Sequence, residues 1–217
     1  MIQKNNLADN KFYILTTVFI ITVIILAVLF SGRGLYTARI SSTDQVLEDK
    51  WYLEEDRQHG EDFLGLEQWS SLAYVNENET YPAYLTVTTI KTLFMMGEKE
   101  LYEKTRQTIL DKTKDQNITI DKKTEKSGGR VLNDGHQTSY LIFNGTDSSS
   151  EKIKIIGESW NCDKSGTSII CIGFAQVTNN NVSHYGFWKK IIRDSSGSFG
   201  KNGYMGDDGL IFNVKCH

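Results

Sequence analysis

The segment Phe12 to Phe30 (FYILTTVFIITVIILAVLF) runs for 19 residues without a charged side chain. A membrane-crossing helix needs about 20 predominantly apolar residues at about 1.5 Å rise each. Thr16, Thr17 and Thr22 are the only polar interruptions, and a hydroxyl that bonds back one helical turn is tolerated in lipid. A helix buried in a domain would show a polar stripe, and none is present. A cleavable signal peptide has a shorter apolar region of about 7–15 residues and a small-x-small site; here Ser31-Gly32-Arg33-Gly34-Leu35 follows. The expectation is therefore a short cytoplasmic tail over residues 1–11, a transmembrane helix over 12–31, a stalk over 32–44 and an exposed domain over 45–217.

Flanking charge does not orient such a span, because Lys4 and Lys11 precede it and Arg33 and Arg39 follow it. Four N-x-[ST] triplets, at Asn78, Asn117, Asn144 and Asn181, are glycosylation candidates and favour an outward domain. The expected location is the cell membrane, single-pass through residues 12–30, with the C-terminal domain outside. A formal net charge of −3 opposes nucleic acid as a partner. With 39% hydrophobic residues the chain can bury a core.

The periodicities within the exposed part alternate between strand and helix. Thr43 or Ser42 is placed to cap a short helix through Trp51. Tyr84 to Ile90 is rich in β-branched residues and reads as a strand. Glu98 to Asp115 places Leu101, Thr105, Ile109 and Leu110 on one helical face. Strands follow at Ile118 to Lys122, Thr138 to Phe143, closed by an Asn144-Gly145 turn, and Lys152 to Ser159. Thr167 to Val177 is apolar on both faces, so it belongs at the centre of a sheet. Ser183 caps an amphipathic helix through Arg193, and Leu210 to Val214 forms a last strand. The expected fold class is α+β: the transmembrane helix, then an antiparallel sheet with two packed amphipathic helices.

The strand YLTVTTIKT, the helix EKELYEKTRQTILDKT, the meander GHQTSYLIFNG, KIKIIGESW and SIICIGFAQVT, and the closing helix FWKKIIRDS resemble the layout of PsbP/Mog1-like domains over residues 69–198. That resemblance implies a binding or accessory module without catalysis. The Asn, Ile and Lys usage is also similar to that of membrane-anchored archaeal surface proteins.

Cys162, Cys171 and Cys216 are the disulfide candidates. With the hairpin turn centred on Lys164-Ser165, Cys162 faces Thr167 and Cys171 faces Glu158, so Cys162–Cys171 would need a bulge. The other pairing is with Cys216, if the last strand lies beside Thr167–Val177. No catalytic residue, cofactor or metal site is expected, since there is no G-x-S-x-G, C-x-x-C, H-x-x-x-H or phosphate-loop lysine pattern; the alternative weighed against this is a metal site combining Cys162, Cys216 and His217. His59 and His136 read as surface residues and His184 as a packed one. Phe187, Trp188, Phe199 and Tyr204 are candidate pocket residues around the closing helix and its Gly-rich loop. The functional expectation is a non-catalytic, membrane-anchored binding or accessory domain for a protein partner or small ligand. The alternative is a surface-anchored enzyme with a pocket near residues 184–206.

Overall fold

The computed structural model describes residues 15–22, 35–41, 50–54, 58–61, 67–76, 78–192 and 209–217. Residues 15–22 are helical, α1. Strands β1 (Arg39–Ile40), β2 (Trp51–Leu53), β3 (Gln58–Glu61), β4 (Glu67–Asn76) and β5 (Ala83–Thr92) come next, before α2 (Glu98–Asp115). Then come β6 (Thr119–Val131), β7 (Gln137–Thr146), β8 (Lys152–Cys162), β9 (Thr167–Gln176), β10 (Thr178–Asn179) and β11 (Val182–Ser183). Helix α3 (Gly186–Ile192), a 3-10 turn (Ile211–Asn213) and β12 (Val214–Lys215) complete the described elements.

The main sheet has eight strands in the order β2-β4-β5-β9-β8-β7-β6, with β3 also paired to β4. Every pairing is antiparallel. Strand β9 is central, and nine of its ten residues are buried. Its odd-numbered Ile169, Cys171 and Ala175 join one apolar cluster and its even-numbered Ile170, Ile172 and Phe174 the other. That division is the period-2 alternation of a strand covered on both faces.

Helix α2 covers one face. It starts after Gly97, carries Glu98 and Glu100 in its first turn and Lys112 and Lys114 in its last, and so complements its own dipole. Leu101, Thr105, Ile109 and Thr113, four residues apart, form its buried stripe. Thr105 and Thr113 satisfy their hydroxyls on Leu101 O (2.7 Å) and Ile109 O (2.9 Å). The helix lies close because Gly157 stands beneath it: a Cβ there would sit 2.6 Å from Ile109 Cδ1 and 2.8 Å from Thr105 Cγ2. On the other face Gly173 plays the same part for α3, where a Cβ would meet Ile191 Cγ2 at 2.7 Å. The β1–β12 ribbon and the 3-10 turn extend that second layer, burying Ala38, Ile40, Leu210, Ile211 and Val214. Each large apolar side chain so buried contributes about 1.5–3 kcal/mol.

Two expectations are corrected. Half of the described residues are strand and 23% helix, so the sheet dominates and the α+β class built on a transmembrane helix is overturned. Among the described residues no helix is long and apolar enough to cross a membrane. This conflicts with the expected single-pass cell-membrane location. Residues 12–14 and 23–31 lie outside the described residues. Thr22 Oγ1 does bond back to Val18 O (2.8 Å).

Smaller differences have local causes. Asn144-Gly145 reads as a turn from composition, yet it lies inside β7 in the β6–β7 ladder, because that hairpin turns at Leu132–His136 instead. Ser183 belongs to the β10–β11 ribbon, and α3 begins three residues later. Trp51, expected in a helix, is the first residue of β2, and residues 42–49 lie outside the described residues. Residues 35–41, within the segment assigned to a stalk, pack on the sheet; Ala38 N donates to Thr89 Oγ1 (2.8 Å) and Ile40 N to Tyr74 Oη (2.9 Å).

Candidate functional site

Strand β8 alternates strictly at its start. Ile153 and Ile155 point into the α2-side core, and Lys154 between them points to the other face, where it is half-buried. Register places Lys154 beside Asn144 on β7, and Asn144 beside Asp121 on β6. Between Asp121 and Lys126 the β6–β7 ladder loses register. Thr124 stabilises that bulge: its Oγ1 donates to Asp121 O (2.7 Å) and accepts from Asn144 N (2.8 Å). A bulge twists an edge strand away from its partner, and here it raises one wall of a cleft of about 420 Å³. Val177 and Tyr185 line the cleft as well. Val177 N donates to Lys152 O (2.8 Å), and His184 N to Val177 O (2.9 Å), which fixes the residues on either side.

Lys154 gives the cleft its chemistry. Burial depresses its pKa below the ordinary value, and the charge of Lys126 depresses it further. Among the described residues no carboxylate pairs with it. Lys152 and Asp121 line the same cleft, and Val177 and Tyr185 supply apolar surface beside the two amines. An apolar-walled cleft with a few converging polar groups is the usual form of a small-ligand site.

The other sequence candidates fall elsewhere. Trp188 is fully buried in the second core and Phe187 packs at its edge, so the helix side of the expected pocket is filled. Phe199 and Tyr204 lie outside the described residues. His184, expected to be packed, is exposed and stacks between Tyr81 (4.8 Å) and Phe187 (5.2 Å). Asn117, Asn144 and Asn181 are exposed. Asn78 is partly buried, its Oδ1 accepting from Thr80 N and Tyr81 N at 3.0 Å each. Asn144 lines the cleft itself.

Of the disulfide candidates, Cys162 and Cys216 are bonded, with Cα atoms 6.4 Å apart, and Cys171 is a buried free thiol. The hairpin register is the one expected, Cys162 opposite Thr167 and Cys171 opposite Glu158. The last strand, however, pairs with β1 and not with β9. Cys216 reaches Cys162 over the sheet face, so the bond ties the second layer to the end of β8. Burial pushes the Cys171 thiol well up, and the Glu158 carboxylate adds to the rise.

Two arrangements escaped sequence reasoning. Glu158 is fully buried and takes a two-pronged contact from Arg130, Nε to Oε1 at 2.8 Å and Nη2 to Oε2 at 2.5 Å. Thr138 Oγ1 donates to Oε1 (2.6 Å), and Arg130 Nη1 donates to Ile192 O (2.7 Å), anchoring the end of α3. A charge at Glu158 amid Ile155, Ile156 and Trp160 is the only sequence signal for it. The second is His136, half-buried beside Cys216 (Nε2 to Sγ 3.2 Å) and Asp134 (Nε2 to Oδ2 3.5 Å). Both neighbours meet the same ring nitrogen, so Asp134 does not orient His136 from behind as the acid of a nucleophilic triad would.

No family model, curated protein or solved structure matches this chain.

Proposed function

We propose that the chain is a non-catalytic binding domain whose cleft between the β6 bulge and Tyr185 holds a small ligand by an anionic group. The resemblance to PsbP/Mog1-like domains implies the same general role. The observation that carries the proposal is Lys154, a half-buried ammonium with a depressed pKa and no carboxylate partner among the described residues. Such a cation gains more from an incoming carboxylate or phosphate than an exposed lysine does, because water screens it less. Val177 and Tyr185, which line the cleft, fit an apolar body attached to that group.

The test compares a medium-chain carboxylate with the alcohol of equal length by titration calorimetry against the full chain. The carboxylate binds about tenfold tighter or more, the worth of one hydrogen bond to a charged group, and Lys154→Met erases the difference. Equal binding of the two probes, or an unchanged preference in Lys154→Met, would overturn the reading.

A further inference from the structure

A second centre lies at the other end of β8, independent of the cleft. Cys162 is the last residue of that strand, and the hairpin bond from Gly166 N to Cys162 O (2.8 Å) fixes it there. His136 stands at the start of β7, held by the turn bond from Leu132 N to His136 O (2.9 Å) and by His136 N to Asp134 Oδ1 (3.3 Å). Cys216 and His217 follow β12. Three separate parts of the chain thus deliver two sulfurs and two imidazoles to one place, with all four ligand atoms within 4.8 Å of one another.

Three of the sulfur–nitrogen spacings are close to the value a metal would need. Tetrahedral zinc with Zn–S near 2.3 Å and Zn–N near 2.0–2.1 Å sets sulfur and nitrogen about 3.6 Å apart. His217 Nδ1 lies 3.5 Å from Cys162 Sγ and 3.5 Å from Cys216 Sγ, and His136 Nε2 lies 3.2 Å from Cys216 Sγ. Only the two sulfurs stand too close, because they are bonded to each other. Their Cα atoms, 6.4 Å apart, leave room for side-chain rotation to separate them to the roughly 3.8 Å that tetrahedral zinc sets. Both cysteines are fully buried, whereas His217 is exposed, so an ion has a path from solvent on the histidine side.

We propose that in the reduced chain His136, Cys162, Cys216 and His217 bind one zinc-class divalent ion, and that this site and the Cys162–Cys216 disulfide are alternative states of one redox centre. A dithiol reductant supplies two electrons and two protons: the protein disulfide becomes two thiols and the dithiol becomes a disulfide. The ion then displaces the two thiol protons to solvent and takes His136 through Nε2 and His217 through Nδ1. Oxidation by a low-molecular-weight disulfide reverses the sequence, moving two electrons to it, reforming the protein S–S bond and releasing the ion. Thiolate and imidazole donors in a four-fold set select zinc over magnesium or calcium. Two neighbours must yield: the exposed Lys164, whose Nζ lies 3.0 Å from His217 Nε2, and Asp134, whose carboxylate lies 3.5 Å from His136 Nε2. Either cross-link holds the β1–β12 layer against the sheet, so the fold survives the exchange while the metal does not.

The test uses the full chain, reduced with dithiothreitol, desalted without oxygen and titrated with cobalt(II). The reduced chain develops the visible absorption of tetrahedral cobalt and a cobalt–thiolate charge-transfer band, saturating at one ion per chain. Binding of either ion to the reduced apo-chain releases two protons, zinc displaces the cobalt and abolishes both absorptions without further proton release, and the oxidised chain shows neither. His136→Gln and His217→Gln leave the disulfide intact, so their folding is verified in the oxidised state by circular dichroism. Reduced, each binds zinc at least about 10–100-fold more weakly, the range already seen on losing a supporting group. No tetrahedral absorption in the reduced wild type would overturn the proposal, and so would histidine variants that bind zinc as tightly as wild type.

Discussion

Replacing Arg130 with Met isolates the one buried ion pair of the described core. Glu158 has no solvent exposure and Arg130 has 6% of its side chain exposed. The guanidinium makes two bonds to the carboxylate and one to Ile192 O. Removing it leaves Glu158 with Thr138 as its one remaining donor among the contacts described above. An uncompensated charge of this kind costs about 3–5 kcal/mol, a large share of the 5–15 kcal/mol that holds a typical domain together. In urea, at a slope of about 2–3 kcal/mol per molar, the midpoint falls by roughly 1–2 M with the slope unchanged. The companion variant Arg130→Met/Glu158→Leu removes both charges and recovers most of the loss, because two desolvation penalties vanish with the attraction. A single variant that loses less than about 1 kcal/mol, or a double variant that loses as much as the single, would show that Glu158 does not depend on Arg130 for its burial.

Two further outcomes follow from the same core and the same cleft. Cys171 is fully buried with its thiol pKa pushed up, so in the oxidised native chain it resists alkylation by iodoacetamide at pH 8, a reaction that needs the thiolate; Arg130→Met accelerates labelling in step with its lost stability, and rapid labelling of the native wild type would show that the β8–β9 core opens locally. Lys154 carries a pKa depressed below the ordinary 10.5, so between its folded and unfolded values the unfolded chain holds more protons and stability rises with pH. Below the folded value the penalty is complete, and Lys154→Met is therefore at least as stable as wild type at pH 7 and lacks that alkaline rise; urea midpoints at pH 7 and pH 10 check it, and a destabilised Lys154→Met at pH 7 contradicts it.

Local pattern carried much of the secondary structure. The span Glu98–Asp115 matches α2 because its apolar period, first-turn acids and last-turn lysines all agree. The two-sided apolar run of β9 put it at the sheet centre for a physical reason: a strand with no polar face needs cover on both sides. The hairpin register at Cys162 and Cys171 followed from turn length alone. Glycine misled at Asn144-Gly145, read as a turn but part of a strand. Gly157 and Gly173 admit helices to the sheet, and Gly128 and Gly145 sit in the β6–β7 ladder. Composition does not separate a glycine that makes a turn from one that makes room.

The sites were less legible than the elements, because each is made by pairings far apart along the chain. Lys154 is one of 24 basic residues until β8 aligns it with Asn144 and the bulge of β6 stands beside it. His136 and His217 are 81 positions apart, and no spacing rule joins them to Cys162. The sequence by itself determined where α2 and the strands β5, β8 and β9 form, since side-chain period and end-capping act over a few residues. Only the tertiary structure decided which charges are buried, which cysteines meet and which imidazoles face them. Those contacts depend on strand order and on the packing of two layers over one sheet, which local sequence does not encode.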